Sequence, residues 1–134
     1  MRLDVPAEKQ LPELPNGCEV TSLSMLLTAI GHPVDKMTLA KEEPADTTPI
    51  AYGPGQSIVF WGDPNKGFVG KVDGSPGYGI YHGPIASLIN QILPGKAVDL
   101  SGHPFTDLLA TVAHQTPVMV WTTADFQPTS DWVT

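Results

Sequence analysis

The sequence has little positive charge, one cysteine and no long apolar run. Seven Lys and Arg stand against fourteen Asp and Glu, and the formal net charge of −7 argues against nucleic acid and anionic membrane as partners. No apolar run approaches the roughly 20 residues of a membrane-spanning helix, which argues against membrane insertion. The first residues lack the apolar segment of a signal peptide, although a cleaved signal would leave no trace in this numbering.

A single cysteine excludes an internal disulfide and favours a reducing compartment only weakly, because secreted proteins without disulfides exist. Residues 53–57 are rich in glycine but lack the lysine and the spacing of a phosphate-binding loop. We therefore expect no organic cofactor. We also expect no metal, because no ligand spacing links the cysteine with the histidines, which are His32, His82, His103 and His114.

The composition fits one modest domain with long irregular segments. A length of 134 residues with 41% apolar residues indicates a single globular domain over residues 1–134. Nine of the thirteen glycines lie between Pro44 and Gly83, where we predict a long surface loop that packs its aromatic side chains onto the body. Within it we predict a short strand and two tight turns, at residues 57–61, 63–67 and 75–79.

Apolar periodicity predicts a central helix over Gly17–Ile30, because it carries two apolar stripes and no Lys or Arg. Further short helices are predicted at residues 35–42, with Asp35 as the cap, and at residues 84–92 and 105–114. Their inward residues are predicted to be Met37 and Ala40 (or Lys41) in the first, and Phe105, Leu108, Leu109 and Val112 in the last. Residues 116–123 have an unbroken apolar centre, which predicts a late buried strand. The fold class is therefore α+β.

The chain ends on Trp132-Val133-Thr134, a triplet typical of strands. A lone buried strand also needs partners that this sequence hardly offers. We therefore expect the natural polypeptide to continue beyond Thr134.

Cys18 lies at the predicted start of the central helix. Asn16 is a favourable N-cap residue, and Glu19 stands three residues later, where a capping-box acid reaches back. The helix dipole would then stabilise the Cys18 thiolate, the reactive form of the side chain, whereas the charge of Glu19 opposes it. Cys18 is thus a candidate nucleophile, and the alternative is a small core residue.

Several motifs carry a resemblance to a known family. The stretch Gln10-Leu11-Pro12-Glu13-Leu14-Pro15-Asn16-Gly17-Cys18-Glu19-Val20-Thr21 resembles the N-terminal motif of bacterial cysteine peptidases related to the bacteriocin-processing proteases, family thirty-nine of the papain-like clan. Four later segments are similar to one subgroup of that family: Trp61-Gly62-Asp63-Pro64, Gly67-Phe68-Val69-Gly70, Gly77-Tyr78-Gly79-Ile80-Tyr81 and Pro117-Val118-Met119-Val120-Trp121.

The resemblance implies a papain-like α+β fold with Cys18 as the nucleophile and Gln10 as an oxyanion-hole donor. It implies hydrolysis of a peptide or protein substrate through a thioester at Cys18, and an extracellular or cell-surface location. In the family the catalytic histidine and its orienting residue follow the segment resembling residues 118–123, and this sequence ends before such a stretch. We therefore expect the C-terminal part of the same domain as a partner of these residues.

Two alternatives stay open on the sequence. The first is a non-catalytic, peptide-binding accessory domain with a degenerate papain-like site, and the second is a transglutaminase-like acyltransferase. A polar residue in a proline-rich arm is ordinarily solvated, which is the alternative for Gln10. If the chain were complete and active, one of its four histidines would have to replace the missing base.

Overall fold

The computed structural model describes residues 2–129, in which two helices are followed by a run of short strands and then by two further helices. The helices are α1 (Cys18–Ala29), α2 (Lys36–Glu42), α3 (His82–Ile92) and α4 (Phe105–Ala113). The strands are β1 (Ala45–Asp46), β2 (Ala51–Tyr52), β3 (Ile58–Phe60), β4 (Phe68–Gly70) and β5 (Gly77–Gly79), with a 3-10 turn at Pro54–Gln56. This mixture confirms the α+β class.

Helix α1 is the central element, as its two apolar stripes predict. Val20, Leu23 and Leu27 are at most 1% exposed, and they join a single core cluster with side chains from the other elements. Removing such side chains from water is the main source of folding free energy. The remaining members of the cluster are Leu14, Leu39, Phe68, Ile80, Ile85 and Leu88.

The predicted glycine-rich loop contains all five strands. Strand β4 pairs in parallel with β1 and antiparallel with β5, and β2 pairs with β3 in a separate hairpin. The strand at β3 and the turn after Asp63 are confirmed, whereas the turn predicted at residues 75–79 is wrong because its second half pairs with β4. Of the aromatic residues expected to pack inward, Phe68 is buried, but Phe60 and Tyr78 are exposed.

The other helices are confirmed with changes at their ends and faces. Asp35 caps α2 by accepting the Met37 backbone N–H at 2.8 Å. The buried residues of α2 are Lys36 and Leu39, so the inward assignment of Met37 is wrong. Helix α3 begins at His82, which places Pro84 at its third position rather than its first.

Helix α4 has the predicted bounds within one residue, but its apolar face is not covered. Phe105 and Leu109 are 69% and 54% exposed, and no residue of α4 is buried.

The predicted late strand at residues 116–123 is also wrong, and this segment too has apolar residues without a covering partner. This segment pairs with no other strand of the described chain and Val120 is 58% exposed, so its backbone lacks the neighbour that a ladder requires.

The triplet Trp132–Thr134 lies outside the described residues. Within residues 2–129, no helix combines the length and the apolar character needed to cross a membrane. The described helices have at most twelve residues, and the longest of them is α1.

Candidate active site

Cys18 is the first residue of α1, as its predicted place at the helix start requires, and the residue is exposed. The predicted capping box is wrong. The N-cap residue is Gly17, and no side chain caps the helix. Asn16 instead donates its side-chain amide to the carbonyls of Lys71 and Gly74, at 2.9 and 2.5 Å, and so fastens the loop between β4 and β5 to the helix start.

Close packing fixes the chain just before Cys18. Leu14 is 1% exposed, and a Cβ added to Gly17 would lie 2.5 Å from the Cβ of Leu14. Only glycine permits this approach, since real side chains do not come so close. The arm therefore reaches the helix start in one fixed path.

Glu19 is the residue that contacts the thiol. Its Oε2 accepts a hydrogen bond from Cys18 Sγ at 3.1 Å, and its Oε1 accepts the backbone N–H of Ile80 at 3.1 Å. Glu19 is 8% exposed. A Cβ on Gly79 would lie 2.6 Å from Oε1, so glycine at that position leaves room for the carboxylate.

The resting thiol is neutral at physiological pH. Partial burial of the sulfur within an otherwise exposed residue, followed by the hydrogen bond to Glu19 and the charge of Glu19, raises the pKa of Cys18 to about 11. These effects outweigh the backbone hydrogen bonds at the helix start, which lower the pKa. The prediction that Glu19 opposes thiolate formation is confirmed.

The negative charge of Glu19 also affects a second buried carboxyl group, that of Glu43. Burial, and then the charge of Glu19, raises the pKa of Glu43 to about 8. Glu43 is 8% exposed, and within the described chain its Oε2 has no hydrogen-bond partner. The neutral form of Glu43 is therefore favoured at neutral pH, because a second buried negative charge would be repelled. The sequence showed no signal for this pair.

Gln10 lies in the arm before α1, and its side chain turns back toward the helix. Its Nε2 donates to the carbonyl of Pro15 at 2.8 Å, three residues before Cys18. Its carbonyl accepts the backbone N–H of Leu14 at 3.1 Å, which closes a turn over residues 10–14. Gln10 is therefore tied into the loop that precedes the thiol rather than left fully solvated.

None of the histidines forms a hydrogen bond with Cys18 within residues 2–129. His82 Nδ1 lies 2.6 Å from Asp99 Oδ2, and the ring meets Trp121 edge-on with centroids 6.5 Å apart. Two other histidines, at the two ends of α4, bond to residues of that helix. His103 pairs with Asp107, and the ring of His114 bonds the carbonyl of Ala110.

An apolar cavity of about 630 Å³ lies between α3, α4 and residues 116–121. Its walls include Ile85, Ile89, Phe105, Met119 and Trp121, with His82 and Asp99 also on its lining. Trp121 donates its indole N–H to the carbonyl of Ile80, which connects this cavity to the residue that Glu19 holds. The amphipathic pattern of α4 indicated an apolar face, but it did not show that the face would be open.

Comparisons with known proteins identify relatives of the chain. The sequence profile of the Peptidase_C39 like family matches residues 2–131. The uncharacterized protein YvpB of Bacillus subtilis strain 168 is 41% identical over 134 residues, which cover 98% of this chain and 51% of that protein. A Bacillus anthracis crystal structure assigned as a C39-like peptidase has a TM-score of 0.70 and 43% identity, covering 83% of this chain and 53% of the other. The chain thus spans about half the length of these relatives, and the resemblance found in its motifs is confirmed.

Proposed function

Because this chain belongs to the Peptidase_C39 like family, we propose that it is the nucleophile-bearing part of a thiol-dependent peptidase, with Cys18 as the nucleophile. The observation that carries the proposal is the exposed thiol at the first position of the buried helix α1. A thiol there can reach a substrate while its backbone is held by the core. The substrate would be a peptide or protein.

The reaction begins when the thiolate attacks the carbonyl carbon of a peptide bond. A C–S bond forms, and the π electrons of the carbonyl move to its oxygen. In our proposal the side-chain amide of Gln10 and the backbone N–H of Cys18 donate to that oxyanion. The C–N bond then breaks, the leaving amine takes a proton, and water hydrolyses the thioester to release the acid and restore the thiol.

The chemistry needs a base and proton donor besides Cys18. A cationic imidazole beside the thiol would favour the thiolate and oppose the effect of Glu19. We propose that it comes from the part of the relatives' length that this chain does not span. The open apolar face of α4 and residues 116–121 is the surface against which that part would pack, because exposed faces of this kind mark contact sites.

The raised pKa of Cys18 favours one alternative, in which the site binds peptides without cleaving them. An acyltransferase would use the same thioester and pass the acyl group to an amine instead of water. Hydrolase and acyltransferase differ only in the later fate of the acyl group, whereas the binding alternative predicts no acylation. A direct measurement of acylation therefore separates binding from both reactions.

Acyl transfer to Cys18 can be tested with a peptide thioester, whose leaving thiolate needs no proton donor. Intact mass spectrometry should show one acyl group per chain, absent in C18A, and imidazole in the buffer should accelerate its formation and its hydrolysis. A short peptide covering residues 16–20 is the control for intrinsic thiol reactivity. Because the raised pKa of Cys18 lowers its thiolate fraction, the rates are compared per thiolate; if, with imidazole present, the folded chain is then acylated no faster than this peptide, the proposal is wrong and the binding alternative is favoured.

A further inference from the structure

Lys36 is buried at the first position of α2, where a positive charge opposes the helix dipole. Lys36 as a whole is 7% exposed, although lysine is rarely buried unless it is paired. Neither helix stability nor hydrophobic burial accounts for a lysine at this place. Its hydrogen bonds do.

All the bonds of the Lys36 ammonium go to one short segment of the arm. Nζ donates to the carbonyl of Lys9, to the carbonyl of Gln10 at 3.3 Å and to Glu13 Oε2 at 3.0 Å. An ammonium has three N–H donors, and here each has a partner on residues 9–13. Lys36 therefore binds the backbone carbonyl just before the backbone nitrogen of Gln10 and the backbone carbonyl of Gln10 itself.

Gln10 is then held from both of its ends. Its backbone carbonyl accepts from Lys36 and from Leu14, while its side-chain Nε2 donates one hydrogen to Pro15. A primary amide has a second N–H on the same nitrogen. With the backbone and the first hydrogen fixed, the direction of that second N–H is fixed as well.

We propose that Lys36 is a positioning residue for the reaction: it holds residues 9–13 so that the second Nε2 hydrogen of Gln10 is directed at the carbonyl oxygen of a substrate bound to Cys18. The inference rests on the proposed function, since it needs Gln10 as an oxyanion donor. Preorganised donors stabilise charge in the transition state because they need not reorient. Lys36 itself does not touch the reacting atoms.

Two reagents separate this role from a structural one. N-acetylglycinal, the smallest peptide aldehyde, adds reversibly to Cys18: the C–S bond forms, the carbonyl π pair moves to oxygen, and the thiol proton ends on that oxygen. Iodoacetamide alkylates the same thiol with loss of iodide and creates no such oxygen. A group that acts on the carbonyl oxygen should therefore affect the first reaction and leave the second unchanged.

The test compares wild type, Q10A, K36M, the double variant and E13Q as the matched control. Glu13 is about half exposed, so E13Q removes the ion pair while keeping the two Lys36–carbonyl bonds. Binding of ¹³C-labelled N-acetylglycinal, read by NMR, should weaken about tenfold in Q10A and about fivefold in K36M. The double variant should match Q10A, E13Q should match wild type, and iodoacetamide rates should agree within about twofold.

A spectroscopic reading on the same proteins reports the placement of Gln10 directly. The ¹⁵N side-chain amide signals of Gln10, assigned by their loss in Q10A, should move in K36M to the positions of solvated glutamines and stay in place in E13Q. Thermal unfolding verifies that each variant is folded, and K36Q replaces K36M if the latter is not.

The outcomes distinguish the positioning role of Lys36 from the role of Gln10 as an oxyanion donor. If Q10A weakens aldehyde binding and K36M does not, or if the losses in the double variant add, the role of Lys36 is overturned. Unchanged Gln10 amide signals in K36M overturn it too. If Q10A has no effect, the oxyanion role of Gln10 is wrong, and the amide signals still show whether Lys36 places that side chain.

Discussion

Glu19 holds the thiol of Cys18 through a hydrogen bond of 3.1 Å from Sγ to Oε2. The residue directly after the candidate nucleophile is thus a buried carboxylate, and it accepts a hydrogen bond from the protonated thiol. Its other oxygen binds the backbone of Ile80, so the carboxylate cannot simply rotate away. The candidate nucleophile is thus exposed, but its raised pKa keeps the thiol protonated at neutral pH.

The E19Q variant tests that relationship. Replacing the carboxylate by an amide removes the negative charge, keeps an oxygen for Ile80 and offers an N–H to sulfur. We expect the pKa of Cys18 to fall from about 11 by about one pH unit or more, so alkylation at pH 8 becomes faster. The measurement is the iodoacetamide rate against pH. E42Q, at the exposed glutamate beside Glu43, is the control; an unchanged profile in E19Q would contradict the assignment.

The raised pKa of Glu43 predicts how the free energy of unfolding changes with pH. Its folded-state pKa, about 8, lies above the value of 4.5 for a free glutamate, so the folded protein binds the proton more tightly. The contribution is complete below pH 4.5 and is lost as the pH rises toward and through 8. At about 1.4 kcal/mol per unit of pKa difference, the free energy of unfolding should fall by on the order of 5 kcal/mol across this window.

The E43Q variant keeps a neutral side chain at every pH and should lack this part of the decline. Urea unfolding between pH 5 and 9 measures it, with E42Q as the matched control that retains the wild-type slope. Parallel slopes in E43Q and wild type would show that Glu43 is ionised in the folded protein.

Gly79 links backbone geometry to the site. Its φ of +151° is rare for residues with a side chain, and a Cβ would meet Glu19 Oε1 at 2.6 Å. G79A should therefore reduce the free energy of unfolding by about 1–3 kcal/mol and displace Glu19 from the thiol, which alters the alkylation profile. G74A is the control, because its added Cβ meets only Lys71 at ordinary contact distances. Equal stability of the two variants would refute the steric argument.

The contrast between α1 and α4 can be measured by truncating one leucine in each. Leu23 is fully buried, so L23A should reduce the free energy of unfolding by about 2–5 kcal/mol. Leu109 is 54% exposed, and L109A should change it by less than about 0.5 kcal/mol. Chemical denaturation of both proteins provides the comparison. A large loss in L109A would mean that α4 is covered in this chain.

Prediction from sequence worked where the signal is local or periodic. The central helix and the cap at Asp35 follow from neighbouring residues, and the structure has both. It failed for the strand at residues 116–123, because an apolar run specifies burial without specifying a partner. The Asn16 cap failed since that amide found acceptors 55 and 58 residues away, which no local rule contains.

By itself, the sequence determined the class of the fold, the family, and the position of Cys18 at the start of a central helix, because these depend on short motifs and helical periodicity. The sequence also indicated that Glu19 opposes the Cys18 thiolate, but only the tertiary structure decided how far, because burial is the first cause of the raised pKa of Cys18. The pairing of Glu19 with Ile80, the proximity of Glu43 and the attachment of the Gln10 arm to Lys36 all join residues distant in the chain. Electrostatic effects at a buried site depend on such distances and on burial, and neither is written in the order of the residues.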